Sequence, residues 1–323
     1  MSTFTPTPSI QTPHSSVVVA ILLCTYHGEK YLTDQLASIE TQDHPDWVVY
    51  ASDDGSSDRT IEILHDFQSR WPVGRLHIRK GPQQGFCRNF LSLACDPNIE
   101  ADYYAFCDQD DVWLADKLSS ALQAATAALQ DSPSEVFLYC GRTQYVNKIL
   151  EPCGMSPLFV FPPSFRNALV QSIAGGNTML FNLAAKRLIE KVGSVDVPLH
   201  DWWIYQLISG ADGLIVYDPT PHLLYRQHEE AQVGGSHSIF SVVKPIMMLL
   251  GGRFRNWNTK NTAALESAVS LLSKNNQEIL RLFEKIRNAS LKDRIRLIEV
   301  CGVYRQTYRG TLSLLLATIF KRV

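Results

Sequence analysis

Seven cysteines are present, yet no pair has CxxC spacing and no Cys/His set has the spacing of a zinc site. An odd number, with Cys24, Cys107 and Cys140 inside apolar runs, argues against a disulfide framework. It predicts reduced core thiols in a cytoplasmic protein. No run of 18 or more apolar residues occurs, so no membrane-spanning helix is expected. The first fifteen residues are rich in Ser, Thr and Pro, nearly uncharged, and lack a basic segment followed by an apolar one. They are therefore expected to be a flexible lead (1–15) and not a signal peptide. Neither GxGxxG nor GxxxxGK[ST] appears, which disfavours a dinucleotide-dependent dehydrogenase and a P-loop enzyme.

The chain has 323 residues, 45% of them hydrophobic, enough for one large domain with an appendage or for two domains. The net charge of −2 conceals a division. Residues 1–239 hold 15 Lys and Arg against 27 Asp and Glu, whereas residues 240–323 hold 15 against 5. The basic tail is expected to meet an acidic surface or to pack on the rest of the chain.

Strand and helix patterns alternate from Val17 onward. Residues 17–24, 47–51, 74–79 and 102–107 read as strands, and 29–41, 58–69 and 84–95 as helices. This alternation predicts a doubly wound α/β layer with its ligand site at the carboxyl ends of the strands. Further on, 114–130 reads as a helix, 135–146 as one strand, 151–165 as a proline-rich surface loop, and 180–191 and 201–209 as helices. Residues 213–217 and 221–227 read as extended, and the chain beyond 236 as basic and helical.

Polar chemistry collects at the predicted strand ends. The run Cys107-Asp108-Gln109-Asp110-Asp111-Val112-Trp113 sets three carboxylates in four positions, with a helix expected directly after it. Strand periodicity points Asp108 and Asp110 to one side. Two carboxylates held together repel unless a cation lies between them, and hard oxygen ligands suit Mg²⁺ or Mn²⁺. The plainer alternative is an acidic turn in which Asp111 caps a helix. Asp53-Asp54-Gly55-Ser56 closes the second strand, where a carboxylate can accept a bond from a pyrimidine imide or a ribose hydroxyl. Gly55 permits a tight turn, and Ser57 or Asp58 can cap the next helix. Arg88 opens the third helix, facing either a diphosphate or solvent. Gly175-Gly176-Asn177 offers close approach to the backbone. Asp201 begins a helix whose dipole favours its ionised form, which suits a general base. In Tyr225-Arg226-Gln227-His228, Arg226 can neutralise phosphate and His228 can ligate a metal.

In this order, Cys24-Thr25-Tyr26, Asp53-Asp54-Gly55-Ser56, Asp108 to Trp113, Gly176-Asn177-Thr178, His200-Asp201-Trp202-Trp203 and Tyr225 to His228 resemble the family-2 inverting glycosyltransferases. The likeness covers about residues 17–236 and is strongest to the bacterial rhamnosyltransferase branch of polysaccharide biosynthesis. Cys107 stands where the family usually has serine, and Glu229-Glu230-Ala231-Gln232 stands where relatives often carry Gly and Asn. The resemblance implies an α/β GT-A fold, Rossmann-like and built for nucleotide-diphospho-sugars, over 16–236, with a basic helical region at 237–323. It implies nucleotide-sugar contacts from Thr25, Tyr26, Asp53, Asp54, Arg88 and Asp108, a metal on Asp108, Asp110 and His228, and a base at Asp201. Asp111, Gly176, Asn177 and Trp202 would line the donor and acceptor pocket. The expected reaction moves L-rhamnose from dTDP-L-rhamnose, with Mg²⁺ or Mn²⁺, to a glycan or lipid-linked glycan such as an O-antigen. It would take place in the cytoplasm or at the inner face of the plasma membrane, with the apolar stretch 311–320 able to lie in the membrane interface. A sugar nucleotidyltransferase and a non-catalytic glycan- or membrane-binding protein are the competing readings. Nucleic-acid binding is disfavoured, because no aromatic platform accompanies the basic tail.

Overall fold

The computed structural model describes residues 16–227 and 253–320. Strand β1 (Val19–Thr25) is apolar up to its last residue and buried along its whole length, as a strand covered on both faces must be. It lies between β2 (Trp47–Asp53) and β4 (Tyr103–Asp108), parallel to both, and β3 (Leu76–Lys80) extends the sheet beyond β2. The crossovers are helices α1 (Leu32–Glu40), α2 (Thr60–Arg70) and α3 (Phe86–Ala94). Alternate residues of β1 serve different cores. Val19, Ile21 and Leu23 pack with α1 and α2, while Ala20, Leu22 and Cys24 pack with α3 on the other face.

The chain then forms β5 (Val112–Trp113), α4 (Lys117–Leu129), β6 (Phe137–Gly141), β7 (Gln144–Val146), β8 (Pro152–Met155) and the short α5 (Phe165–Ala168). A 3₁₀ turn over Gly176–Thr178 leads into β9 (Leu180–Asn182), α6 (Leu183–Val192), α7 (His200–Gly210), β10 (Leu214–Asp218) and β11 (Leu223–Arg226). The large sheet has seven strands in the order β10-β6-β9-β4-β1-β2-β3, with β9 antiparallel to both of its neighbours. A second sheet, β5-β11-β7-β8, stands beside the site edge. Helices α8 (Arg253–Ser267), α9 (Lys274–Asn288), α10 (Leu291–Cys301) and α11 (Tyr308–Ile319) follow. Leu265, Leu280, Phe283 and Ile298 of these helices, with Leu272 between the first two, lie in the same core as Phe106 and Trp203, so the helices pack as a layer on the large sheet's side of the molecule.

Four expectations are corrected. Residues 135–146 are two strands in different sheets. The chain turns after Gly141, where the Arg142 N–H donates to Asp218 O and the Thr143 N–H to Ser156 Oγ. Residues 152–155 pair with β7 and are not loop; Pro152 is tolerated there because it begins an edge strand. Leu180 to Asn182 are strand, not helix. Asn182 ends that strand and caps α6, its side chain accepting from the Ala185 N–H. Finally, a short strand, not a helix, follows the acidic run, so Asp111 is no cap; α4 begins only after Asp116. The expected domain boundary at 236/237 lies outside the described residues.

Candidate active site

Strands β1, β2 and β4 end together, with Cys24 beside Asp108 and Thr25 beside Asp53 in the ladder. The Thr25 hydroxyl donates to Asp53 Oδ1 at 2.9 Å, and Ser56 Oγ donates to the same oxygen at 2.5 Å. Asp53 Oδ2 accepts the N–H groups of Gly55 and Ser56 at 3.1 and 2.8 Å. These four bonds close the turn, in which Gly55 adopts φ +104°. Asp54 accepts the N–H of Gln83 at 2.6 Å and of Gly85 at 2.7 Å, tying the entry of α3 to the end of β2. Both carboxylates thus hold internal donors, and Asp54 keeps more free acceptor capacity than Asp53. Asp58 Oδ1 accepts from the Thr60 N–H and hydroxyl at the entry of α2, but the N-cap position is Arg59, which makes no side-chain cap bond, so neither Ser57 nor Asp58 is the expected cap.

Tyr26 is held by its backbone. Gln109 accepts its N–H at 2.8 Å and donates to its carbonyl at 2.9 Å, which leaves a 54% exposed ring at the mouth of the site. Gln109 drew no role from the sequence, although it stands inside the acidic run.

The acidic turn follows β4. Burial, and then the carboxylates of Asp110 and Asp201, push the Asp108 pKa up to about 8. Asp111 is fully buried and pushed well above the carboxylate range by burial and by Asp110 and Asp108. The Asn177 amide donates to Asp111 Oδ2 at 2.6 Å, while Oδ1 has no hydrogen-bond partner among the described residues. The neighbouring Gly176 N–H donates to Asp201 Oδ2 at 3.1 Å, and the Trp202 N–H to Asp201 Oδ1 at 2.6 Å. Gly176-Asn177 therefore links the acidic turn to the N-terminus of α7. A Cβ on Gly176 would lie 2.8 Å from His200 Nε2. The His200 ring stacks on Phe90 at 4.2 Å, and burial depresses its pKa to about 3. Asp201 is raised to about 6 by burial, with its two N–H donors pulling the other way.

Three assignments change. Trp202 is 3% exposed, donates its indole N–H to Ala168 O at 2.7 Å and packs on Phe254 and Trp257; it is a core residue and lines no pocket. Arg226 is 2% exposed and does not face phosphate. Its guanidinium donates to Asp110 O at 3.1 Å, Lys148 O at 2.7 Å and Asp34 Oδ2 at 2.9 Å, and it lies over the Tyr31 ring at 4.4 Å. Arg88 donates to Ser194 Oγ at 2.8 Å, a tie to the loop after α6. Lys117 was not anticipated. It is buried over the Trp113 ring at 4.6 Å and lowered by burial to about 8, beside Cys107 and Asp111. Nothing in its sequence context distinguishes it from a surface lysine. His228 lies outside the described residues.

Among the described residues no three His, Cys, Asp or Glu side chains close into a metal cage. The Asp110 carboxylate nevertheless raises the cost of charge on Asp108. An open set of hard oxygens fits a cation that takes its remaining ligands from substrate phosphates.

The family model for glycosyl transferase family 2 matches residues 20–141, which span β1 to β6 and contain the Asp53-Asp54 turn and the acidic run. The chain is 29% identical over 257 residues to the dTDP-rhamnosyl transferase RfbG of Shigella flexneri, covering 75% of this chain and 84% of that protein. It is 28% identical over 106 residues to the putative teichuronic acid biosynthesis glycosyltransferase TuaG of Bacillus subtilis (strain 168), covering 33% and 41%. Among solved structures it is similar to S. aureus TarS 1–349 in complex with UDP-GlcNAc, with TM-score 0.52 and 17% identity over 94% of this chain and 89% of that one. Residues 20–141 thus carry a glycosyl transferase family 2 domain, and with the GT-A architecture around it the chain is a glycosyltransferase.

Proposed function

We propose that this glycosyltransferase moves L-rhamnose from dTDP-L-rhamnose to a hydroxyl of a growing cell-surface glycan, with inversion at the anomeric carbon. The observation that carries the mechanism is the Gly176-Asn177 link, which ties Asp201 to the acidic turn. The donor sugar rests on the likeness to the Shigella flexneri dTDP-rhamnosyl transferase. The catalytic domain in this reading spans 16–236, with the basic helical region at 237–323. The setting is cytoplasmic, and the acceptor is a glycan or lipid-linked glycan.

Asp201 takes the proton of the acceptor hydroxyl as its oxygen bonds to C1. The nucleoside diphosphate leaves from the opposite face with the electron pair of the broken glycosidic bond. The exposed Tyr26 ring and the remaining acceptor sites of Asp54 meet the base and ribose, while Thr25 and Asp53 hold the turn that presents them. Asp108 and Asp110, with His228, are the residues that would hold Mg²⁺ or Mn²⁺. When bound, that ion would neutralise charge on the departing diphosphate. Asp111 and Asn177 shape the floor beneath the sugar.

A panel of nucleotide sugars assayed by nucleotide release, with and without EDTA, tests the reading. Release from dTDP-L-rhamnose that stops in EDTA and falls in Asp201→Asn, with nucleotide binding intact, is the expected result. Turnover of another donor alone rejects the rhamnosyl assignment. Undiminished release in EDTA rejects the metal.

A further inference from the structure

Gln109 stands between Asp108 and Asp110, but its carboxamide serves the loop after β1. Oε1 accepts the Tyr26 N–H at 2.8 Å and Nε2 donates to the Tyr26 carbonyl at 2.9 Å. This pair of bonds copies the exchange between facing residues of two antiparallel strands. Among side chains of this length, only glutamine carries the donor and the acceptor together.

Gly28 keeps the space that the amide occupies. A Cβ there would lie 2.4 Å from Gln109 Oε1 and 2.8 Å from Gln109 Cδ. The other side of the loop is tied to the turn after β2. The His27 N–H donates to Ser56 Oγ at 2.9 Å and the Gly28 N–H to Thr60 Oγ1 at 2.8 Å. Between these ties the Tyr26 ring leans on His27 at 4.1 Å and stays 54% exposed. An exposed ring has no core packing to place it, so the backbone that carries it decides where it stands.

We propose that Gln109 is a positioning residue for the donor nucleotide, whose carboxamide fixes the Tyr26 loop against the acidic turn and so sets the distance between the nucleoside and diphosphate ends of the site. Gln109 acts through Tyr26 and touches no substrate itself. A loop already in place need not be ordered by the ligand, an ordering that would otherwise cost affinity. The inference rests on the reading that Tyr26 meets the nucleoside.

The test is calorimetry of the full chain in Mn²⁺ with dTDP, UDP and GDP, the tightest of the three being carried to the variants. Gln109→Ala and Gly28→Ala should each weaken binding about tenfold, the first by removing the amide and the second by displacing it. The double variant should bind no worse than either single one. With Gln109 cut back to Cβ, the added methyl meets only an ordinary contact at 3.5 Å. The donor KM should rise with the dissociation constant while the acceptor KM does not, a split that general loosening of the fold would not produce. Should Gln109→Ala fail to fold, Gly28→Ala reads the same clamp. Tyr26→Ala is the control for the site. If it weakens binding and neither Gln109→Ala nor Gly28→Ala does, the positioning role is overturned and the nucleoside contact stands. Additive losses in the double variant overturn the clamp as well. If Tyr26→Ala leaves binding intact, or none of the three nucleotides binds, the nucleoside reading fails and takes the positioning role with it.

Discussion

Asp201 is pulled in two directions. Burial raises its pKa, while the N–H groups of Trp202 and Gly176 stabilise the carboxylate, and the balance lies at about 6. A base at that value is mostly ionised at neutrality, so activity should rise with pH as the proton leaves. The profile of kcat/KM against pH is expected to show an ascending limb centred near pH 6. In Asp201→Asn, transfer should fall by roughly 10²–10⁴ and that limb should vanish. A limb that survives in the residual activity would assign it to another group. The residue beside it shows how fine the distinction is. Asp201 and Trp202 are neighbours in one motif, yet the carboxylate faces the site and the indole faces α8. At 3.6 residues per turn, adjacent positions point about 100° apart, and the motif does not say which of them looks inward.

At the level of elements, the acidic turn owes its shape to a strand more than a hundred residues later. Arg226 of β11 holds the Asp110 carbonyl, the Lys148 carbonyl and α1 through Asp34. Arg226→Ala should take one donor from each carbonyl, at a cost of about 0.5–1.5 kcal/mol each. It should also weaken Mn²⁺ binding, measured by titration, because Asp110 loses its brace. Arg226→Lys should recover little of either, since an ammonium cannot reproduce a planar fork reaching three acceptors. Full recovery by lysine would mean that charge alone matters. Arginine is usually exposed, so its sequence context reads most simply as a phosphate ligand. The burial became visible only when β11 was seen paired between β5 and β7. Strand β9 was obscured for a related reason. Leu180-Phe181-Asn182 precedes α6 without a break in apolar pattern, and three residues are too few to show period two.

Across the whole molecule, two cores sandwich the large sheet, and one of them includes the C-terminal helices. Asn276 of α9 donates to Ser209 O and Gly210 O at the end of α7, at 3.2 and 3.1 Å. The helix that carries Asp201 is thus anchored at its far end by the basic region. Phe283→Ala should cost about 3–5 kcal/mol, and thermal melting and transfer activity should fall together. Activity that outlasts the melting of α8 to α11 would make that region a separable appendage.

The residues in order were enough to establish the β/α alternation, the edge where strands β1, β2 and β4 end, the acidic run and its likeness to family-2 glycosyltransferases, and the basic helical tail. Each of these is local, carried by periodicity or by a short spacing along the chain. The partners of Asp53, Asp54, Arg88 and Arg226, the inward turn of Trp202, the burial of Lys117 and the hold of Gln109 on Tyr26 were decided by packing. A polar group's role depends on which distant atom completes its hydrogen bonds and how much water remains beside it, and both are properties of the assembled fold.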